Sequence, residues 1–187
     1  MGRTLQSKLM LDQIFTKCNE EWKNALNQKK HSFRFFNLAT SNNNIPELRV
    51  VVLRDYDPEK KQFTIYTDSR SQKVLSLENN KNVELLFYNP DRLTQIRVQA
   101  SCILMIEDNS VFIQQPSASQ KDYTTQQAPG TPIESQRSVD YMKETHYFLK
   151  LIFEATQIEY LQLKRPVHIR ALFKKNKSEW VGEFRTP

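Results

Sequence analysis

A cluster of cationic and hydroxyl side chains follows the second of two β-type runs in the sequence. The runs are RVVVLR (49–54) and FTIYT (63–67), and the segment DYDP (55–58) between them is typical of a turn. The clustered residues are Arg49, Thr67, Ser69, Arg70, Ser71 and Lys73. Arginine offers a planar fork of donors, lysine a point charge, and a helix that starts here would add free backbone amides. The pattern indicates a phosphate site, but it is also typical of a hairpin followed by a capped surface helix with solvated charges.

Glycine is too scarce for the usual nucleotide-binding loops. The chain has three glycines, Gly2, Gly130 and Gly182, and they lie far apart. Neither a G-x-G-x-x-G fingerprint nor a Walker loop can be written with them. Side chains and helix ends must therefore hold any phosphate.

Length and hydropathy favour one domain, residues 1–187, with a proper core. No run approaches the roughly 20 apolar residues of a membrane helix, and no apolar block follows the N-terminal MGRT, so we expect no membrane association. The cysteines Cys18 and Cys102 are too far apart for a metal motif, and the three histidines do not cluster, so we expect no metal. The same cysteines favour a reduced, cytoplasmic setting.

Net charge suits an anionic ligand without identifying it. The formal charge is +6 and the isoelectric point is near 9.3. Such values also suit a nucleic-acid binder. The cations and aromatic side chains that such a protein would use are Lys60, Lys61, Arg70, Lys73, Arg92, Arg97, Tyr66 and Tyr88. These charges alternate with carboxylates instead of forming a stripe, which argues against nucleic acid as a partner.

Hydrophobic periodicity predicts a mainly β chain with a few helices. Apolar residues at helical spacing predict an amphipathic helix over about 8–28. Strands are predicted at 33–40, 49–54, 62–67, 82–88, 94–105, 147–161, 167–174 and 179–184, with a short helix at 73–79. A helical excursion is predicted over about 108–147, including helix within 133–147. Many strands at short spacing indicate an antiparallel β-barrel carrying helices.

With this layout, several segments resemble the pyridoxamine-5′-phosphate-oxidase-related family of FMN-binding split barrels, over roughly residues 33–187. RVVVLR (49–54) is similar to the family's R-x-V-L-L-K, IYTD (65–68) to F-Y-T-N, and SQK (71–73) to S-R-K. Gln95 matches the glutamine of E-R-Q-V-x-V. QIEY (157–160) and HIR (168–170) resemble Q-I-E-F and H-D-R near the C-terminus. Their order and spacing together carry the resemblance.

The resemblance implies an antiparallel split β-barrel that forms a homodimer with FMN sites at the subunit interface. The FMN-binding residues that it implies are Arg49, Val50, Val51, Val52, Leu53, Arg54, Tyr66, Thr67, Arg70, Ser71, Gln72, Lys73, Gln95 and Arg170. Gln72 stands where the family has arginine, and Arg70 is the candidate to replace that charge. Gln95 and Arg170 would act from the partner subunit.

Strand geometry raises a difficulty for two of these residues. Arg49 and Arg54 point to opposite faces of a regular strand, because successive side chains alternate. Both can reach one ligand only if the strand twists or bulges, or if Arg54 serves the substrate side or a second subunit. Arg49 is therefore the better phosphate candidate.

The departures from the family concern its substrate site. The oxidase has an arginine-rich stretch, R-P-R-x-S-Q-x-G-A, where this chain has PSASQKDYTT (116–125). Pro166 replaces the first arginine of R-x-H-x-R, and Leu161 stands at the position of a flavin-side tryptophan. A phosphate needs charge-assisted donors, so we expect pyridoxamine phosphate not to be the substrate.

Three functions remain open from sequence. The first is an FMN-dependent oxidoreductase acting on a small-molecule substrate or a nicotinamide donor, with His168 as the one candidate for proton handling; that histidine also suits a packed or solvent-facing role. The second is a flavin carrier or sensor without turnover. The third is the basic β-barrel that binds nucleic acid. A deazaflavin or haem in place of FMN also remains open.

Overall fold

The computed structural model describes residues 2–187, with side chains from residue 5 onward. Its α-helices are α1 (Gly2–Asn27), α2 (Gln72–Asn79), α3 (Asn109–Ile113) and α4 (Ser117–Lys121), and a 3₁₀ turn covers Ser32–Arg34. The strands are β1 (Phe35–Asn42), β2 (Ile45–Val52), β3 (Asp55–Asp57), β4 (Gln62–Asp68), β5 (Asn82–Asn89), β6 (Thr94–Ile106), β7 (Phe148–Gln162), β8 (Ile169–Asn176) and β9 (Glu179–Phe184).

All nine strands form one antiparallel sheet with the order β2-β1-β5-β6-β7-β4-β3, and β8 joins β7 to β9. The long strand β7 pairs with β6 along most of its length, with β4 through its first half and with β8 through its second half. Because β2 and β3 end this order and are joined only by Leu53 and Arg54, the sheet curls back on itself. The fold is an antiparallel split β-barrel, as expected.

Helix α1 packs one face against the barrel, and its buried side chains join an aromatic cluster in the core. The helix buries Ile14, Cys18, Trp22 and Ala25, which recur at helical spacing. The ring of Trp22 packs against Tyr56, Phe63 and Phe87 with centroids 4.9 to 5.7 Å apart. This core fixes the inward and outward faces of each surrounding strand.

Most predicted elements are confirmed, and the helix predicted within 133–147 is wrong. That segment contains no helix and is irregular, with one isolated bridge between Thr125 and Tyr141. The backbone amides of Met142 and Tyr147 donate to the carbonyls of Thr124 and Tyr123, at 2.7 and 2.8 Å. Pairing with the preceding segment therefore satisfies donors that a helix would have satisfied internally.

The hairpin prediction also needs a correction, because β2 pairs with β1 and not with β4. The β1–β2 turn consists of Asn43 and Asn44, whose φ values of 49° and 64° lie in the region that asparagine tolerates. Of the predicted turn at 55–58, residues 55–57 form the short strand β3, which pairs with β4 in a hairpin. No helix within residues 2–187 is both long and apolar enough to cross a membrane.

Candidate functional site

Lys73 lies among hydroxyl groups at the start of α2. Its Nζ donates to Thr67 Oγ1 at 2.9 Å and to Ser71 Oγ at 3.1 Å, and those two oxygens are 3.1 Å apart. Ser71 is the N-cap residue of α2, yet its side chain caps no amide of the helix. The first amides of α2 therefore keep their capacity to bind an anion beside a cation and two hydroxyls.

Arg49 approaches the same region from β2. Its Nη1 donates to Thr40 Oγ1 at 2.7 Å and to the Leu38 carbonyl at 3.3 Å, and its Nη2 lies 3.0 Å from Glu47 Oε2. The same carboxylate oxygen accepts a hydrogen bond from Ser76 Oγ of α2 at 2.8 Å. Hydrogen bonds from Ser76 first, then from Thr40 and Arg49, hold the pKa of Glu47 below its usual value. This network fixes Arg49 against α2.

The electrostatics of the cluster favour an anionic ligand. Burial lowers the pKa of the Lys73 ammonium, and the neighbouring charge of Arg49 lowers it further, whereas Asp68 acts in the opposite direction. Within residues 5–187, Lys73 forms no ion pair with a carboxylate. A half-buried cation beside a second cation gains free energy when a phosphate arrives. We name Arg49, Thr67, Ser71 and Lys73 the anion cluster.

Arg70 does not point into the anion cluster. Its Nε and Nη2 donate to the two carboxylate oxygens of Asp68, at 3.0 and 2.7 Å. Its Nη groups also donate to the carbonyls of Thr125 and Gln126, at 2.9 Å each, and the guanidinium lies 3.4 Å from the centre of the Tyr147 ring. In this geometry, Arg70 does not supply the charge that Gln72 lacks. Gln72 itself is exposed.

The end of β2 shows how Arg49 and Arg54 diverge. Strand β2 stops at Val52, and the Arg54 amide donates to the Thr64 carbonyl of β4 at 2.9 Å. The Arg54 guanidinium lies 5.5 Å from the centre of the Tyr66 ring, on the outer side of β4. Its charge also acts on the Tyr123 hydroxyl. Arg54 and Tyr66 therefore lie together away from the anion cluster, and we name these two residues the second wall.

The other predicted residues of β2 alternate around Arg49. Val50 is exposed on the outer face, and Val52 shares that face. Val51 packs against the core and Leu53 is buried, with its amide donating to the Arg34 carbonyl at 2.9 Å. Only the backbone of Val51 and Leu53 can therefore face a ligand outside the barrel.

Gln95 and Arg170 lie together on the outer face of the barrel. Gln95 of β6 is opposite Leu161 of β7, and Leu161 is opposite Arg170 of β8. One Nη of Arg170 donates to both carboxylate oxygens of Glu159, at 3.1 and 3.0 Å, and its buried Nε has no partner among the described residues. The structure thus brings these two predicted residues together, on the opposite side of the sheet from Arg49.

The same outer face carries exposed apolar side chains on three adjacent strands. Phe35 of β1 is 56% exposed, Val50 of β2 is 63% exposed, and Leu48 of β2 is 67% exposed. Tyr88 of β5, directly opposite Gln95, is also exposed. Contiguous apolar side chains of this kind mark contact surfaces. We name Phe35, Leu48, Val50 and Tyr88 the outer apolar patch.

Among the described residues, His168 has a structural contact and no partner suited to proton transfer. It is exposed, and its Nδ1 accepts a hydrogen bond from the Lys164 amide at 3.1 Å. This geometry is that of a solvent-facing loop residue. No group of histidine, cysteine and carboxylate side chains within residues 5–187 could hold a metal ion.

Sequence reasoning missed several residues that shape the site. Glu47 had a usable signal, because it lies two positions before Arg49 on one strand and therefore shares its face. Tyr147 and Thr125 had none, because they reach Arg70 from segments more than fifty positions away. Contacts of that kind depend on the path of the chain.

Comparison with known proteins agrees with this geometry. Residues 16–106, which contain the whole anion cluster, match the sequence model of the pyridoxamine 5′-phosphate oxidase, FMN-binding domain. Over these residues, just under half of its length, the chain is similar to that domain. FMN is the cofactor of this domain family.

Two relatives match this chain in sequence over only part of their own length. The pyridoxine/pyridoxamine 5′-phosphate oxidase of Pelagibacter ubique is 40% identical over 62 residues, which are 33% of this chain and 29% of that protein. A relative from Caenorhabditis elegans is 34% identical over 99 residues, 51% of this chain and 43% of its own length. The match spans less than half of either relative.

Solved structures share the fold over nearly the whole chain. A pyridoxamine 5′-phosphate oxidase-related, FMN-binding protein from Nostoc punctiforme superposes with a TM-score of 0.75 at 22% identity, over 91% of this chain and 96% of that one. PhzG from Burkholderia lata, solved with tetrahydrophenazine-1-carboxylic acid, has a TM-score of 0.75 at 13% identity, over 92% of each chain. These likenesses establish the split barrel as the common fold.

Proposed function

We propose that this protein is an FMN-dependent oxidoreductase whose anion cluster holds the FMN phosphate. The observation that carries this proposal is the position of Lys73, a half-buried cation between two hydroxyls at a helix start. It lies beside Arg49 and has no carboxylate partner among residues 5–187. A phosphate dianion would accept from both cations, both hydroxyls and the free amides of α2. No further charge from Arg70 is required, and the neutral side chain at Gln72 is no obstacle.

A second copy of the chain would complete the part of the site that binds the flavin ring. Gln95 and Arg170 face outward on the surface that carries the outer apolar patch, and the buried Nε of Arg170 still has a hydrogen bond to donate. A two-fold dimer through this patch would bury its apolar side chains and bring each outer face to the site of the other copy. The proposed unit is therefore a homodimer with two equivalent sites.

Bound FMN would supply the electron-transfer chemistry, and the chain would supply binding, orientation and electrostatics. The backbone from Val50 to Leu53 would run beside the ribityl chain, as the family resemblance implies. Thr67 would contribute its hydroxyl to the phosphate. Tyr66 would not, because its ring lies beside Arg54 in the second wall. No side chain of the site is required as a general base in this proposal.

The proposed substrate is not pyridoxamine phosphate. The segment that aligns with the oxidase's arginine-rich stretch has Lys121 as its one cation, and Lys121 lies 4.2 Å from the centre of the Tyr141 ring. Pro166 has no side-chain donor where the oxidase has arginine. Losing two charge-assisted contacts would cost on the order of 3–6 kcal/mol in substrate affinity if they act independently.

The test is a set of spectra of FMN-loaded protein. We expect flavin absorbance on the purified or reconstituted protein, bleaching on addition of NADPH or another reduced donor without oxygen, and recovery in air. Oxygen-dependent formation of pyridoxal phosphate should be negligible. Turnover of pyridoxamine phosphate with a micromolar KM would contradict the substrate proposal, and failure to bind FMN would contradict the cofactor proposal.

A flavin carrier or sensor is the second candidate, and the missing substrate arginines favour it. It predicts the same tight FMN binding without bleaching by any reduced donor. A reducing, cytoplasmic setting also stays a proposal. The two buried, unpaired thiols of Cys18 and Cys102 support it.

A further inference from the structure

Arg70 joins the start of α2 to a distant segment of the chain. It lies between two serines of the phosphate region, and its bidentate contact covers both oxygens of Asp68 at 3.0 and 2.7 Å. Asp68 is a buried carboxylate, 5% exposed, and it also accepts from the Arg70 amide at 2.8 Å. A buried carboxylate with one bidentate arginine depends on that arginine for its charge balance.

The position of Asp68 makes this charge balance matter for the anion cluster. Asp68 follows Thr67 directly, and its negative charge acts on Lys73 in the direction opposite to that of Arg49. An unpaired Asp68 would compete with a phosphate for Lys73 and would repel the phosphate itself. Arg70 keeps this carboxylate neutralised without touching the cluster.

The other edge of the guanidinium holds the segment 123–127. It donates to the Thr125 and Gln126 carbonyls at 2.9 Å and to Thr125 Oγ1 at 3.2 Å, and it stacks on Tyr147. The hydrogen bond from the Tyr147 amide to the Tyr123 carbonyl, 2.8 Å, continues this connection.

Tyr123 connects the held segment to the second wall. Its ring packs edge-on against Phe148 with centroids 5.0 Å apart, and Phe148 contacts the ring of Tyr66 at 4.9 Å. The Arg54 guanidinium lies 5.5 Å from the centre of the Tyr66 ring. The position of this wall therefore depends on the segment that Arg70 holds.

We propose that Arg70 is a positioning residue of the cofactor site: it neutralises Asp68 so that Lys73 is free for the FMN phosphate, and it clamps residues 123–127 to the start of α2. The inference rests on the proposed FMN site for its first half. The second half concerns the chain alone and holds with or without cofactor. It also replaces the expectation that Arg70 is itself a phosphate ligand.

Three variants separate these roles: Arg70→Gln, Asp68→Asn and the double variant. We expect Arg70→Gln to weaken FMN binding by about tenfold, because the uncompensated charge of Asp68 then acts on Lys73. The double variant should return to within about threefold of the wild type, because the carboxylate is gone as well. If the double variant stays as weak as Arg70→Gln, Arg70 is a phosphate ligand and the inference is overturned.

Hydrogen exchange measures the clamp independently of FMN. Peptides covering 122–147 should exchange faster in the cofactor-free Arg70→Gln protein and stay fast in the double variant, because the contacts to Thr125 and Gln126 are lost in both. The matched control is Arg137→Gln, an exposed arginine of the same region, which should change nothing. Unchanged exchange in Arg70→Gln would overturn the clamp.

Riboflavin distinguishes failure of this inference from failure of the proposed function. Riboflavin lacks the phosphate, so its affinity should change much less than that of FMN in Arg70→Gln. A wild-type protein that binds FMN no better than riboflavin would contradict the phosphate site itself. The exchange experiment would then still decide the clamp. Arg70→Lys, which keeps the charge without the fork, should retain FMN better than Arg70→Gln and still loosen the segment.

Discussion

The two ends of the proposed flavin site are built in different ways. The phosphate end, the anion cluster, is assembled within one chain by β2, β4 and the start of α2, and hydrogen bonds of 2.7 to 3.3 Å fix its side chains. The ring end, Gln95 and Arg170, lies on the outer face of the same sheet, on the side opposite to Arg49. In the proposed site, one chain would therefore bind the phosphate, whereas the flavin ring would require a second copy. The two ends should respond differently to substitution.

The largest expected effect comes from breaking the contact between copies. Val50→Asp places a carboxylate in the centre of the outer apolar patch, twice per dimer because of the two-fold symmetry. Burying unpaired charges costs several kcal/mol, so we expect the dimer dissociation constant to rise more than about a hundredfold. Analytical ultracentrifugation or light scattering measures this. Val50 is exposed in the single chain, so the folded monomer should keep its stability.

The matched control is Ile113→Asp, at a residue of α3 that is 64% exposed and lies outside the patch. It should leave the oligomeric state unchanged. A wild-type protein that is monomeric at micromolar concentration and still binds FMN tightly would remove the distinction between the two ends.

The next effect is specific to the phosphate end. Lys73→Ala and Arg49→Ala should each weaken FMN by roughly 1.5–3 kcal/mol, the scale of a hydrogen bond to a charged group, and should barely affect riboflavin. Fluorescence titration of both ligands gives the comparison. Lys81→Ala, at an exposed lysine elsewhere, is the control. Equal losses for FMN and riboflavin would place these side chains away from the phosphate.

A smaller, opposite pattern is expected at the ring end. Gln95→Ala removes a neutral hydrogen bond, which is worth about 0.5–1.5 kcal/mol, and it should weaken FMN and riboflavin equally. Titration of the same two ligands measures it. A loss confined to FMN would show that Gln95 reaches the phosphate.

Sequence patterns predicted the regular parts of this molecule and missed its irregular contacts. The strands were predictable because the alternation of apolar and polar residues and the turn residues are local signals. The buried apolar side of α1, which includes Trp22, was predictable because its helical spacing is also local. The anion cluster was predictable because Thr67, Ser71 and Lys73 lie within seven positions of one another at a helix start. Local spacing alone brings them together.

The structure of segment 109–147 was predicted less well from the sequence. Its helix prediction within 133–147 failed because Tyr147 and Met142 find their hydrogen-bond partners in residues about twenty positions earlier. Arg70 was assigned to the phosphate because its neighbours are phosphate-type residues, whereas its actual partners include Thr125 and Gln126. A guanidinium binds best where several acceptor oxygens lie close together, and the tertiary fold determines that position.

The smallest expected effect is the pH dependence of the difference between FMN and riboflavin. Burial and the charge of Arg49 lower the pKa of Lys73 from its ordinary value of 10.5, so Lys73 loses its proton at a lower pH than an exposed lysine. Because the phosphate binds the charged form, the FMN preference should fall a few-fold in the alkaline range below pH 10.5, where an ordinary lysine keeps its charge. The stability of the free protein should change in the opposite direction. Burying the charged ammonium lowers the free energy of unfolding at pH values below the lowered pKa, and this loss disappears as the pH rises from the lowered pKa to the ordinary one. Bound phosphate raises the pKa again, so FMN binding in this range should take up protons, which calorimetry in buffers of different ionisation enthalpy measures. Proton release, or a preference that stays constant up to pH 10.5, would mean that Lys73 does not hold the phosphate.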